Sequence, residues 1–270
     1  MNSNGNRKSK YFFWEQISLS IKYRELIFHN ALQDIKTRYI RTTIGPWWSS
    51  LSVIIFILSF GIIGSKLWGL EVDVFMPMFC SGYIIWLLIS SIISESTTLL
   101  TSSANLLHTS KIPIIALIIS MILKNIILFL HHLFIFFLVC FFLSYEINVN
   151  ILMIIPSLIF LFIIGTVFTF LWTILCTRFS DIGQLTNTLL QIVFFLTPIF
   201  WPADRLSGIY FKILIDFNPI HQILNLVRQP LLGNSILIEN IKGCFVIFII
   251  LLLLSIFFGN KYKKSIIFYL

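Results

Sequence analysis

Charge is what this 270-residue chain has least of: 11% of its residues are Asp, Glu, Lys or Arg, against roughly 25% in soluble domains. It is also 58% hydrophobic and 16% aromatic, where soluble domains are about 45–50% apolar, so a water-soluble fold is excluded. Acidic residues are the scarcer sign, 11 against 19 basic, and the formal charge is +8. In a soluble protein such a surplus would suggest nucleic acid; here the place of each charge relative to a membrane matters more than the sum, and no nucleic-acid partner is expected. Cysteine is rare as well. Cys80, Cys140, Cys176 and Cys244 lie within or at the ends of apolar runs, without the spacing of a disulfide framework or a zinc site. Ionisable groups are nearly missing from the middle of those runs, which argues against an ion-coupled carrier. His131 and His132 are the exceptions, and adjacent helical residues point about 100° apart, too far to share one ligand. Glu71 and Asp73 stand without the further Asp or His that a catalytic centre needs, and Gly61-Ile-Ile-Gly-Ser-Lys66 lacks the residue order of a phosphate-binding loop. No catalytic or metal site and no enzymatic activity is expected of the chain itself. The first forty residues show neither the apolar core nor the cleavage site of a signal peptide, so the first apolar run is expected to act as its own insertion signal.

What is present is a series of long charge-free intervals. A membrane-crossing helix needs about 20 apolar residues, and the intervals predict six spans, near 49–67, 74–93, 112–143, 151–176, 184–201 and 243–259. The third, at ~1.5 Å per residue, would run about 48 Å against a ~30 Å hydrocarbon core. Its first dozen residues, Ile112 to Leu123, are therefore expected to protrude and pack on protein, with Lys124 snorkelling at the interface. Placing the amino terminus in the cytosol assigns 14 basic residues to that side and leaves five outside, Lys66, Arg205, Lys212, Arg228 and Lys242, which is the positive-inside bias. Both termini are then cytosolic. The predicted fold class is an all-α integral membrane protein: one permease domain over 1–270 with six transmembrane helices, an amino-terminal amphipathic interface helix within 1–48, and two short re-entrant helices between spans five and six.

Three further segments are neither spans nor simple loops. Phe28, Leu32, Ile35 and Tyr39 recur at i, i+4, i+7 and i+11 beside Ala31, which predicts a helix lying in the membrane interface. It is either a basic anchor or a gate helix whose Arg38 and Arg41 meet phosphate groups. Gly45 and Pro46 end it, and Trp47 and Trp48 mark the interface. Residues 95–111, with Glu95 and Ser103, carry Leu99, Leu100, Leu106 and Leu107 on one face of a polar helix; that strip either docks a partner or packs on the protein's own surface. Residues 198–232 contain Thr197-Pro-Ile-Phe-Trp-Pro202 and Asn218-Pro219. Pro198, Pro202 and Pro219 lack backbone N–H groups, and non-helical backbone at membrane depth is tolerated only inside protein or against water. The reading is a pair of re-entrant helices lining a pathway; an interfacial loop is the alternative.

The order of these features, with Arg38-Tyr-Ile-Arg-Thr-Thr-Ile-Gly-Pro-Trp47, Thr197-Pro-Ile-Phe-Trp-Pro202 and Asn218-Pro219 as its best strings, resembles the membrane subunits of type 2 ABC exporters. Within them it is similar to the O-antigen (Wzm-like), capsule and teichoic-acid permeases. The resemblance implies a homodimer with two cytosolic ATPase subunits in a bacterial inner membrane, exporting a polyprenyl-diphosphate-linked glycan such as O-antigen to the periplasm. It implies no cofactor in this chain, ATP and Mg being bound by the partner. On the same basis Arg38, Arg41, Gly45, Pro46, Trp47 and Trp48 would recognise the lipid diphosphate. Glu95, Leu99, Leu100, Ser103, Leu106 and Leu107 would couple to the ATPase, and Pro198, Trp201, Pro202, Asn218 and Pro219 would form a periplasmic gate. A permease for a small lipid or drug is the alternative in the same superfamily.

Overall fold

Helices account for almost all of the computed structural model, which describes residues 12–40, 45, 47–110, 112–203, 208–209 and 215–262, with no strand among them. In chain order they are α1 (Phe12–Ser20), α2 (Arg24–Tyr39), α3 (Trp47–Trp68), α4 (Val72–Ser96), α5 (Leu99–Ser102), α6 (Ala104–Ser110), α7 (Ile114–Phe142), α8 (Ile154–Arg178), α9 (Ser180–Leu196), α10 (Pro219–Leu231) and α11 (Ile238–Tyr262). Short 3-10 turns, Ile21–Tyr23 and Val149–Met153, precede α2 and α8.

Among the described residues, five helices are long and apolar enough to cross a membrane: α3, α4, α7, α8 with its preceding turn, and α11. The remaining expected run, 184–201, is the 17-residue α9, which stops at Leu196. The cause lies at the next two positions. Pro198 disfavours helical backbone in the residue before it, and Thr197 is extended, with ψ of 135°. The chain then bends through Thr197–Trp201 instead of continuing as helix. Where the second of the two re-entrant helices is expected, the chain forms the helix α10, whereas the first, Leu206 to Leu214, falls mostly outside the described residues.

The centre of the bundle is α4, which packs against α3, α7, α8, α9 and α10 and buries Phe75, Phe79, Ile84 and Ile85 completely. Its seam with α3 depends on two small residues. A Cβ on Gly61 would lie 2.7 Å from the Met76 methyl, and one on Gly64 would lie 2.5 Å from the Phe75 ring. The glycines of the Gly61–Lys66 string thus set helix spacing, as small residues do between membrane helices. Near the amino end of α7, residues Ile112 to Ile118 are buried. They pack under α2 through Ile112, Ala116 and Leu117 against Ile27, which accounts for a helix longer than a bilayer. Because α7 follows Pro113, its first turn has no side-chain cap of its own. Gln16 of α1 supplies one, its Oε1 accepting from the Ile114 N–H at 2.7 Å.

The packing generates a contrast. Gly64→Ala is expected to overpack the α3–α4 seam and destabilise the protein by about 1–3 kcal/mol. Gly165→Ala, whose added Cβ would meet nothing closer than Ile122 at 3.7 Å, should leave the melting temperature unchanged. Equal melting curves for the two variants would refute this account of the seam.

Candidate functional site

Polar side chains gather at both ends of α4. At the end that carries α1, α2, α5 and α6, the first feature is α2 itself. Its buried stripe is Ile27, Ala31 and Ile35, while Phe28 is 57% and Leu32 37% exposed. Of the expected stripe through Phe28, Leu32, Ile35 and Tyr39, Ile35 is shared with this buried edge, and Phe28 and Leu32 lie on the exposed side. The apolar extension of α7 draws in the Ile27 edge, because covering Ile112 and Leu117 removes more carbon from water than lying flat on an interface. Arg38 is exposed near the end of α2 and has no hydrogen bond or ion pair among the described residues. It stands at a cavity of about 290 Å³ walled by α2, α3, α4 and α7. Tyr83, Ser91, Asn125 and His132 also line that cavity, together with Tyr39, Ser49 and Ser52, and no carboxylate does among the described residues. His132 is buried and its Nε2 has no partner among the described residues. His131 points elsewhere, its Nδ1 hydrogen-bonded to the Ile127 carbonyl at 2.8 Å and its ring edge-on to Trp47.

The corner between α2 and α3 holds Gly45 at φ +62° with nothing near the position of a Cβ. Glycine is needed there for backbone conformation, which other residues adopt at a cost. Trp47 and Trp48 follow, half exposed. Arg41 and Pro46 lie outside the described residues.

The segment 95–111 is two short helices, α5 and α6, broken at Ser103. The four leucines do not form one outward strip. Leu100 is fully buried, and Leu99 and Leu107 pack on the core, so Leu106, 44% exposed, is what the segment presents. Glu95, in the last turn of α4, pairs with Lys124 of α7 at 2.7 Å, and its carboxylate also accepts from Asn125 at 3.0 Å. A second cavity, of about 550 Å³, separates this pair and Ser103 from Asn30, Gln33 and Asp34 of α2.

At the other end of α4 the proline-rich bend is held by side chains from α3 and from α10 with its cap. Pro198 and Pro202 are buried, as is Trp201. With donors missing from the backbone, acceptors need partners from elsewhere. Arg228 of α10 donates Nη1 to the Pro198 carbonyl at 2.6 Å and Nη2 to the Met78 carbonyl at 3.1 Å. Trp68 Nε1 donates to the Phe200 carbonyl at 3.1 Å, and Trp201 Nε1 reaches back to Phe195. Asn218 caps α10, its Oδ1 accepting from the N–H groups of Ile220 and His221 while its Nδ2 donates to Thr197; Pro219 fits the first turn, where no N–H is required. The far end of α10 is clamped by Tyr145 Oη on the Leu232 carbonyl and Asn150 on the Gly233 carbonyl.

Arg228 is the residue that sequence reasoning misplaced. It counted as an outer-face charge, yet it is 6% exposed and both its partners are backbone carbonyls. The signal was available: an arginine among Leu224, Leu226, Val227 and Leu231 is out of place on an apolar face unless something nearby lacks donors, and three prolines supplied that lack.

Residues 25–232 match a family model described as ABC-2 type transporter. No curated protein matches the chain. For the bend, the geometry predicts that Arg228→Lys destabilises the protein by about 1–3 kcal/mol, because an ammonium cannot fork between two carbonyls as a planar guanidinium does. Wild-type thermal melting of the lysine variant would show that the fork is dispensable.

Proposed function

The chain belongs to the ABC-2 type transporter family, and we propose that this permease subunit exports a polyprenyl-diphosphate-linked polysaccharide, of the O-antigen kind, from cytoplasm to periplasm. Family membership implies an ATPase partner and a membrane. The observation that carries the finer reading is Arg38: a cation without a partner among the described residues, at the rim of a cavity lined by hydroxyls, an amide and an imidazole, with no carboxylate. An anionic group borne by a hydroxylated cargo fits that combination, since a guanidinium is the side chain best matched to phosphate oxygens. A small lipid or drug without an anionic group would leave the Arg38 guanidinium and the buried His132 Nε2 without a match, and an ion-coupled carrier would need ionisable groups at mid-membrane.

In this reading Arg41, Gly45, Pro46, Trp47 and Trp48 continue the recognition of the lipid diphosphate, and α5 and α6 touch the ATPase chiefly through Leu106. The bend at Pro198, Trp201 and Pro202, with Asn218 and Pro219, serves as the periplasmic gate. Nucleotide and Mg belong to the partner, and this chain catalyses nothing. The basic end is assigned to the cytosol, a reading supported by Lys22 in the turn before α2, by Arg24, Lys36 and Arg38 on α2, and by Arg178 and Lys261 at the ends of α8 and α11. Six crossings are completed by α9 with its bend, and α10 is re-entrant. In support, the start of α10 borders Ile89, Ile92 and Ile93 in the inner part of α4, while its end reaches the α7–α8 connection.

A homodimer is part of the proposal. Gln184, Asn187, Thr188 and Gln191 of α9 are exposed beside exposed Leu185, Leu189 and Ile192, and polar groups at membrane depth face protein or water more readily than lipid. Two copies also supply enough helices to surround a polymer. Two outcomes test the function. An ABC ATPase is expected to co-purify with this subunit in mild detergent, and its absence would end the exporter reading. Arg38→Ala is expected to lower surface glycan about tenfold at an unchanged protein level; undiminished export would remove Arg38 from substrate recognition.

A further inference from the structure

The walls of the Arg38 cavity differ from those of two apolar cavities in the bundle, and, unlike the cavity beside Glu95 and Lys124, they include no carboxylate among the described residues. One of about 230 Å³, between α4, α8, α10 and α11, is lined by Ile89, Ile92, Ile223 and other apolar groups only. Another, of about 350 Å³, between α3, α4 and α7, is equally apolar. Such cavities stay dry and suit hydrocarbon. In the Arg38 cavity, by contrast, polar groups continue inward from the guanidinium to Ser91 and Asn125 and then to His132, eight residues deeper along α7 than Lys124. His132 is 8% exposed and its Nε2 has no hydrogen-bond partner among the described residues, an arrangement that costs free energy unless something pairs with it. Tyr83 and Phe129 add ring surfaces to the same walls. At about 290 Å³ the space lies at the small end of the ~300–1,000 Å³ range of ligand pockets, so it admits a single ring and not an oligomer.

We infer that this cavity is a glycosyl subsite within one subunit, which takes the first sugar ring of an anionic lipid-linked glycan while Arg38 holds the adjoining phosphate. The inference rests on the proposed function and narrows it: the subunit distinguishes a sugar-bearing lipid diphosphate from a bare one. Three properties of the walls select this ligand. The absence of a carboxylate disfavours a cation. Hydroxyl, amide and imidazole groups offer both donors and acceptors, which sugar hydroxyls match and an acyl chain does not. Aromatic side chains suit the C–H faces of a pyranose, and a phosphate alone would leave those ring surfaces unused.

The test uses the full complex of permease and ATPase in nanodiscs, reading the concentration of added lipid that half-stimulates ATP hydrolysis. Three probes separate the sources of phosphate: a polyprenyl diphosphate carrying one N-acetylhexosamine, the same lipid diphosphate without sugar, and phosphatidylglycerol. The wild-type complex is expected to respond to the sugar-bearing lipid at a concentration about tenfold lower than to the bare diphosphate, and to phosphatidylglycerol weakly or not at all. Ser91→Leu, which fills the cavity, and His132→Leu should erase that preference while leaving the response to the bare diphosphate in place; Arg38→Ala should weaken both. Ser91→Ala removes the hydroxyl without adding bulk and should narrow the preference even if the leucine variants fold poorly. Equal responses of the wild type to the two polyprenyl lipids would overturn the subsite alone. So would an equal loss of both in the Ser91 and His132 variants, or a response to phosphatidylglycerol as strong as to the diphosphates. If neither polyprenyl lipid acts on the wild type, the proposed substrate class falls, and the subsite with it.

Discussion

Every backbone donor and acceptor inside a hydrocarbon layer needs a partner from within the protein, and the departures of this bundle from plain helix all answer to that requirement. Long helices satisfy it internally. Where proline interrupts the chain, side chains from distant positions take over. Gln16 of α1 caps the start of α7 after Pro113; Asn218 caps the start of α10; Arg228 and Trp68 cover the carbonyls of the Pro198 bend. Remove the requirement and there is no reason for a buried arginine or for an amino-terminal helix strapped across the bundle.

The two ends of α4 are built on different chemistry as a result. One end is closed by neutral carbonyl groups gripping a single guanidinium, a rigid arrangement with few alternatives. The other keeps its charged groups at the edges of cavities, with Glu95 and Lys124 joining α4 to α7 and Arg38 left free of partners among the described residues. A subunit that accepts a charged cargo at one side and restrains its passage at the other would need this inequality.

Much of this was legible in the amino-acid order, and the failures have physical causes. Charge-free intervals locate α3, α4, α7, α8 and α11 because burying a charge in lipid is costly whatever its neighbours are. The length of the 112–143 run announces that part of it is covered by protein, although not that α2 is the cover. The buried edge of α2 escaped because periodicity does not show which neighbour a helix packs on; Ile27 and Phe28 are both apolar, and contact with α7 buries Ile27. The same holds for Leu99, Leu100 and Leu107, whose partners lie on other helices. Arg228 escaped because its two acceptors are carbonyls, which have no residue-specific signature. The Arg38 cavity draws on four helices, so nothing in local spacing could have brought Tyr83, Asn125 and His132 together.

The grip of Arg228 also bears on how the protein is made. Its acceptors, the carbonyls of Pro198 and Met78, precede it in the chain by 30 and 150 residues. Synthesis runs from the amino terminus, so both acceptors have been made before the guanidinium leaves the ribosome. An arginine that arrived before its acceptors would have to wait in lipid or remain outside it. Here vectorial translation delivers the charge last, and insertion of α10 becomes a step that seals helices already in place.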